Sequence, residues 1–235
     1  MAIFSKIISL IVSVVMAILN LFGIGGEKRP EFVLGENVNS NVAQVLEVYN
    51  NAVIETDKDA PSVKNTMSLE DIKMGSGTSA ISFAKPMLKD MLEDEVYEYY
   101  DIPGKGELKA DDVISAKMST DEEGLTTVII EVKSQTDDAY ADGENGGPVS
   151  RAMGTAGNFA AIFEETGIIT GFENVEITYT DCKIACIIDD ATDEILYGEW
   201  FYNMTMNMDG VIINIGESPI EMTNTSATIG FRYEL

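Results

Sequence analysis

The 235-residue sequence contains no histidine, and this absence removes several classes of active site. Histidine is the most frequent general acid or base and the usual partner of a catalytic serine or cysteine. It is also a common zinc ligand, and two cysteines by themselves do not complete a tetrahedral site. The 40 acidic residues could be paired in many ways, so no carboxylate pair stands out for glycoside chemistry. We therefore expect a non-enzymatic protein with no cofactor, no catalytic residues and no metal site.

Basic residues are scarce, with 15 Lys and Arg against 40 Asp and Glu and a formal net charge of −25. A surface of this charge repels phosphate backbones, so we expect no nucleic-acid partner. The acidic segment at 137–145 partly resembles a calcium-binding loop. However, Tyr140 occupies an expected ligand position and Val149 stands where a bidentate glutamate belongs. Solubility is the simpler interpretation of the acidity.

The two cysteines, Cys182 and Cys186, are four residues apart. On a strand they would share one face at a separation of about 13 Å, which is beyond the reach of a disulfide. We expect two free thiols that pack as small apolar side chains.

Residues 1–26 are predicted to target the chain to a membrane. Residues 7–26 carry no charge, and their length of about 20 residues suffices to cross a bilayer. The run exceeds the roughly 7–15 apolar residues of a signal peptide. An uncleaved single-span anchor with an extracytoplasmic domain is therefore favoured. A cleaved signal that releases a secreted protein, or a self-associating hydrophobic helix, are the alternatives.

After a linker at 27–40, residues 41–235 are predicted to form a single α+β domain. Apolar residues at helical spacing predict an amphipathic helix that begins near Val42 and a second helix over 86–97. A third helix is predicted from Pro148 to Thr166–Gly167, with Met153, Ala156, Ala160 and Phe163 on one face.

Alternating apolar residues predict an antiparallel meander sheet packed on these helices. A hairpin is expected around 114–132, with Ile114 on its core face, followed by an acidic loop at 135–147 and then by successive strands from 175 to the end. Tyr179 and Cys182 have opposite parity along one of these strands. A bulge near Thr180–Asp181 is needed to bury both.

One strand carries aromatic and methionine side chains at every second position. Flexible thioethers line adaptable apolar pockets, and they fill ordinary cores equally well, so both interpretations stay open. In the first interpretation, the protein binds an apolar or lipid-like ligand between sheet and helix at the cell envelope. In the second, it is a structural or protein-interaction domain. The candidate ligand-binding residues are Trp200, Tyr202, Met204, Met206, Met208, Met153 and Phe163.

The sequence contains four turn and strand motifs: Val45-Leu-Glu-Val-Tyr-Asn50, Tyr179-Thr-Asp-Cys182, Ile188-Asp-Asp-Ala-Thr-Asp-Glu-Ile195 and Gly198-Glu-Trp200. In these motifs the chain resembles a group of uncharacterised extracytoplasmic proteins of Gram-positive gut bacteria. The resemblance extends over most of residues 41–235. It implies export and one domain with a leading helix and a C-terminal meander, and it implies no activity and no site residues.

The role of residues 1–26 can be tested by deleting them. We expect the full chain to stay in the membrane fraction after an alkaline wash, because an apolar span of this length partitions into lipid. The chain without residues 1–26 should become soluble. If both chains are soluble, the anchor is contradicted; a smaller oligomer after deletion would instead indicate a self-associating segment.

Overall fold

The structure is a computed structural model that describes residues 31–73, 75, 96–99, 101–142, 146–158, 160–161, 169–213 and 219–235. The predicted membrane segment, residues 86–95 of the predicted second helix and Phe163 lie outside these residues. Within the described ranges, the helices are too short or too polar to cross a membrane.

The elements of the described chain are mainly strands. The helices are α1 (Val42–Asp57) and α2 (Pro148–Ala152), and 3₁₀ turns lie at Ala110–Asp112 and Phe172–Asn174. The strands are β1 (Val63–Lys73), β2 (Val96–Tyr99), β3 (Val113–Thr120), β4 (Leu125–Val132), β5 (Gln135–Asp138), β6 (Ile169–Thr170), β7 (Glu176–Asp189), β8 (Glu194–Met208), β9 (Val211–Ile213), β10 (Ile220–Met222) and β11 (Thr225–Glu234).

Eight of these strands form one antiparallel sheet in the order β2-β1-β11-β8-β7-β4-β3, with β5 also paired to β7. Strands β10, β9 and β6 form a smaller sheet. The strand-rich α+β class and the antiparallel pairing are thus confirmed. The first strand, β1, pairs with the last, β11, so the long β8 and β7 lie in the middle of the sheet.

Helix α1 forms where the apolar spacing predicts it. The Asn41 side chain accepts a hydrogen bond from the backbone N–H of Gln44 and caps the first turn. The side chains that α1 buries are Val45, Leu46, Tyr49, Ala52, Val53 and Thr56. This stripe packs against β3 and β8, so the helix covers one end of the sheet face.

Two side-chain hydrogen bonds fasten α1 to β8. Trp200 Nε1 donates to the hydroxyl of Tyr49 at 2.8 Å, and both side chains are buried. Near the other end of the helix, the backbone N–H of Ile195 donates to Thr56 Oγ1 at 2.7 Å. Gly198 makes room for the indole, because a Cβ at this position would lie 2.3 Å from a Trp200 ring atom. Helix and strand are therefore locked in one relative position.

The predicted bulge in β7 is confirmed. The register between β7 and β8 shifts between Thr180 and Lys183, and Asp181 adopts a left-handed backbone conformation with φ of 54°. Tyr179 and Cys182 are both buried as a result. Cys182 and Cys186 are free thiols, and burial raises the pKa of Cys182 to about 12.

Three local predictions are wrong. The predicted third helix is interrupted after Ala152, because Gly154 and Gly157 take positive φ and end the helical path, although residues 160–161 are helical again. Residues 135–138 form β5 instead of a loop. Ile114 is 67% exposed, since a register shift at the start of β3 turns it away from the core.

The end of the second predicted helix is also wrong, because residues 96 and 97 belong to β2. Polar and apolar residues alternate only briefly at this point of the sequence, and pairing with β1 decides the conformation.

A buried ion pair fastens α2 to the rest of the domain. Arg151 Nε donates to Asp112 Oδ2 at 2.7 Å, and Arg151 Nη2 contacts the other carboxylate oxygen. Burial opposes ionisation of Asp112, but the hydrogen bonds from Arg151 and from the Lys109 N–H outweigh it and lower the pKa of the carboxyl group.

The contact between α1 and β8 can be tested with Tyr49→Phe. The substitution leaves the buried Trp200 N–H without its acceptor, so we expect a loss of about 1–3 kcal/mol in the free energy of unfolding. Tyr197→Phe is the matched control, since Tyr197 is 47% exposed; it should change stability by less than about 0.5 kcal/mol. Urea unfolding of residues 31–235, followed by Trp200 fluorescence, measures both. Equal effects would contradict the anchoring role.

Candidate functional site

The sheet has two faces of different chemistry. The inner face, which α1 partly covers, carries Trp200, Tyr202, Met204 and Met206, and all four are at most 6% exposed. Met208, at the end of β8, is only partly buried. These candidate residues therefore lie in the hydrophobic core, as the core-filling interpretation expects. Burial by itself leaves the predicted apolar ligand untested.

Of the two candidate residues from the predicted third helix, only Met153 lies within the described residues. Met153 is buried, but it follows the end of α2 and is not part of a continuous helical face. Phe163 lies outside the described residues.

Beside the methionines, the inner face is aromatic. Tyr202 stacks on Phe231 with ring centroids 5.1 Å apart and meets Tyr179 edge-on at 5.7 Å. Burial raises the pKa of Tyr202, and the neighbouring Tyr233 raises it further. Next to this cluster, Asn65 is fully buried, and its Oδ1 has no hydrogen-bond partner in the described structure.

The outer face is polar and half-buried. Threonine, asparagine and serine side chains follow one another across β7, β8 and β11; for example, Thr205 Oγ1 and Thr228 Oγ1 are 2.9 Å apart. These residues occupy the positions between the buried aromatic and methionine residues of the same strands. The face is therefore a second surface of the same sheet, with hydrogen-bonding groups in place of a core.

A groove of about 450 Å³ lies on this outer face, across β1, β11 and β8. We call it the outer-face groove. Its volume falls within the range of about 300–1,000 Å³ that is typical of small-molecule sites. The residues that line it are Thr66, Met67, Ser68, Glu70, Phe201, Asn203, Gly230 and Arg232.

Gly230 forms the floor of the groove. A Cβ at this position would lie 2.7 Å from Ser68 Oγ, 3.1 Å from Glu70 Oε1 and 3.3 Å from Asn203 Oδ1. Three oxygen atoms from the two neighbouring strands therefore converge above a backbone that has no side chain. Asn203 Oδ1 is buried and has no hydrogen-bond partner among the described residues. A buried acceptor of this kind calls for an explanation, and a bound donor would supply one.

Two β-bulges border the groove, one on each side. In β1 the register shifts between Leu69 and Asp71, and the side chain of the extra residue, Glu70, accepts a hydrogen bond from Ser68 Oγ at 2.6 Å. In β7 the carboxylate of Asp181 accepts from Asn203 Nδ2 at 3.0 Å. Bulges redirect side chains and occur frequently beside functional sites. Here they orient two groups of the groove.

One side of the groove combines a cation, Arg232, with an aromatic ring, Phe201. The Arg232 guanidinium carbon lies 5.5 Å from the ring centroid of Phe201. Arg232 Nη1 also donates to Glu199 Oε2 at 3.1 Å. The guanidinium is thus held in place, and Arg232 lines the same groove as the residues around Gly230.

The alternating apolar pattern of the sequence did not reveal the groove, because it identifies only the residues of each strand that face the core. Phe201 and Asn203 stand between those core-facing residues. The available signal was Gly230, since a glycine inside a strand often marks close approach of another group. The convergence with Ser68 depends on the pairing of β1 with β11, which are 162 residues apart at that point.

Comparison with family models, with curated proteins and with solved structures finds no match to this chain. The described residues also contain no cluster of three or more acidic or cysteine side chains that could hold a metal ion. The chemistry that the outer-face groove can support is therefore inferred from its own geometry.

The conformation that orients Asn203 can be tested by replacing Asp181 with Ala and with Gly. Both changes remove the carboxylate, but only glycine adopts a left-handed backbone without cost, so Asp181→Ala should be less stable than Asp181→Gly by about 1–2 kcal/mol. At the exposed Asp111, which lacks positive φ, alanine should instead be the more stable. Urea unfolding measures the free energy of unfolding of the four variants. If alanine and glycine rank in the same order of stability at both positions, the strained backbone at Asp181 is contradicted.

Proposed function

We propose that this protein is a non-enzymatic binding protein of the cell envelope, held there by residues 7–26, and that it binds its ligand in the outer-face groove. The observation that carries the proposal is the convergence of Ser68, Glu70 and Asn203 above Gly230, with an acceptor left unpaired. The apolar character of residues 7–26 supports the location.

A rigid support favours binding at this place. The groove is built on paired strands next to the middle of the sheet, and its walls are fixed by side-chain hydrogen bonds and an ion pair. Groups held in advance lose little conformational entropy when a ligand arrives, and this raises affinity. The β1 bulge and Gly230 have no evident part in packing the hydrophobic core, which lies on the other face.

Gly230→Ala tests the proposal. The new methyl group fills the floor of the groove, and Ser68 can rotate to relieve the contact, so we expect binding to fall at least about tenfold, or 1.4 kcal/mol. The fold should persist, since φ at residue 230 is not positive and alanine suits a strand better than glycine.

The matched control is Ser226→Ala, on the same face of β11 but outside the groove. The assay is co-sedimentation of the full chain, in detergent micelles, with delipidated envelope polymer from the source cells. Binding that is equal in the wild type, Gly230→Ala and Ser226→Ala would contradict a site in the groove.

A second candidate is the apolar ligand between sheet and helix. It is favoured by the unpaired Asn65 Oδ1, since a buried acceptor without a partner costs about 1–3 kcal/mol and a ligand hydroxyl would offset this cost. The aromatic and methionine side chains around β8 would contact the apolar part of such a ligand.

Native mass spectrometry with lipid extraction of residues 31–235 tests this candidate. A stoichiometric apolar adduct that Asn65→Leu removes is the expected result, because leucine has no acceptor for the polar end of the ligand. Met222→Leu, a change of similar volume at another buried position, is the control. A clean mass for the wild-type protein would contradict the candidate and leave the inner face as a packed core.

A further inference from the structure

Both donors and acceptors line the outer-face groove. The acceptors are Asn203 Oδ1 and the Glu70 carboxylate, which lie over Gly230, and the donors are the N–H groups of Arg232. A ligand that satisfies both must itself donate and accept hydrogen bonds. Hydroxyl groups on adjacent carbons do this, because each hydroxyl carries one donor and two acceptor lone pairs.

Charge disfavours ionic ligands. An anion would face Glu70 and the field of a chain with a net charge of −25. A cation would face Arg232, which lines the same groove. Glu70 and Arg232 both line the groove, and the carboxylates of Glu199 and Asp181 already accept hydrogen bonds from Arg232 and Asn203. A neutral, polar molecule suits this environment better than an ion.

The groove also has an apolar wall. Phe201 lines it and lies beside Arg232. A pyranose ring has hydroxyls around its rim and C–H groups on its faces, so it can pack on an apolar wall while its rim makes hydrogen bonds. Beyond the groove the sheet face continues with hydroxyl groups, such as those of Thr205 and Thr228. A chain of sugars could extend along them.

We propose that the ligand of the outer-face groove is a neutral carbohydrate, an inference that rests on the function proposed above. One sugar hydroxyl donates to Asn203 Oδ1, a neighbouring hydroxyl accepts from Arg232, and a C–H face of the ring packs on Phe201. Recognition is non-covalent, and no bond of the sugar is made or broken.

The test uses the full chain in detergent micelles and isothermal titration calorimetry. The probes are four neutral tetrasaccharides (cellotetraose, mannotetraose, maltotetraose and chitotetraose) and one anionic tetrasaccharide, tetragalacturonate. We expect at least one neutral probe to bind, and we expect Gly230→Ala and Asn203→Ala each to weaken that binding by about tenfold or more, as the loss of one buried interaction predicts. Ser226→Ala should stay within about twofold, because single surface changes away from the site have small effects.

The two variants act in opposite ways, since Gly230→Ala fills the groove and Asn203→Ala empties it. Loss of binding in both therefore supports recognition by the acceptor and not merely a change of shape. Binding of a neutral probe that neither variant weakens would overturn the proposal.

The carbohydrate inference and the proposed function can fail separately. If no neutral probe binds, or if only tetragalacturonate binds, while Gly230→Ala still abolishes co-sedimentation with envelope polymer, the groove is a binding site but its ligand is not a neutral carbohydrate. If Gly230→Ala also leaves co-sedimentation unchanged, the proposed function fails together with the inference.

Discussion

The hydrogen bond between Trp200 and Tyr49 is the contact on which the arrangement of helix and sheet depends. It joins the largest fully buried side chain of β8 to the middle of α1, and it satisfies the indole N–H where water has no access. Without Gly198 the indole would have no room, and without α1 it would have no acceptor. The contact between Thr56 and Ile195 adds a second fixed point and sets the direction of the helix.

Fixing one face of the sheet also determines the other. Side chains alternate between the two faces along a strand. Trp200, Tyr202 and Met204 are buried on the inner face, so Phe201 and Asn203 must lie on the outer face. The bulge at Asp181 restores the buried parity of β7 and, in the same step, brings a carboxylate to Asn203. Core packing and the proposed binding site are thus two results of one strand register.

Much of the fold is readable from the sequence. The apolar stripe of α1, the period-two pattern of β8 and the parity change around Asp181 each follow from local spacing, and the structure confirms them. Where a prediction was wrong, either a glycine within the predicted element or pairing with a distant strand determined the local conformation. The third predicted helix is interrupted before Gly154, and the supposed acidic loop contains β5, which pairs with β7.

The sequence by itself determined the α+β class, the position of α1, the bulge of β7 and the face of β8 that enters the core, because these depend on periodicity within single elements. Only the tertiary structure decided that β1 lies against β11 and that Ser68, Glu70 and Asn203 meet above Gly230. Such a convergence depends on pairing between distant strands, and no local pattern specifies it. The candidate site therefore became visible on the face of the sheet opposite to the residues that the sequence had marked.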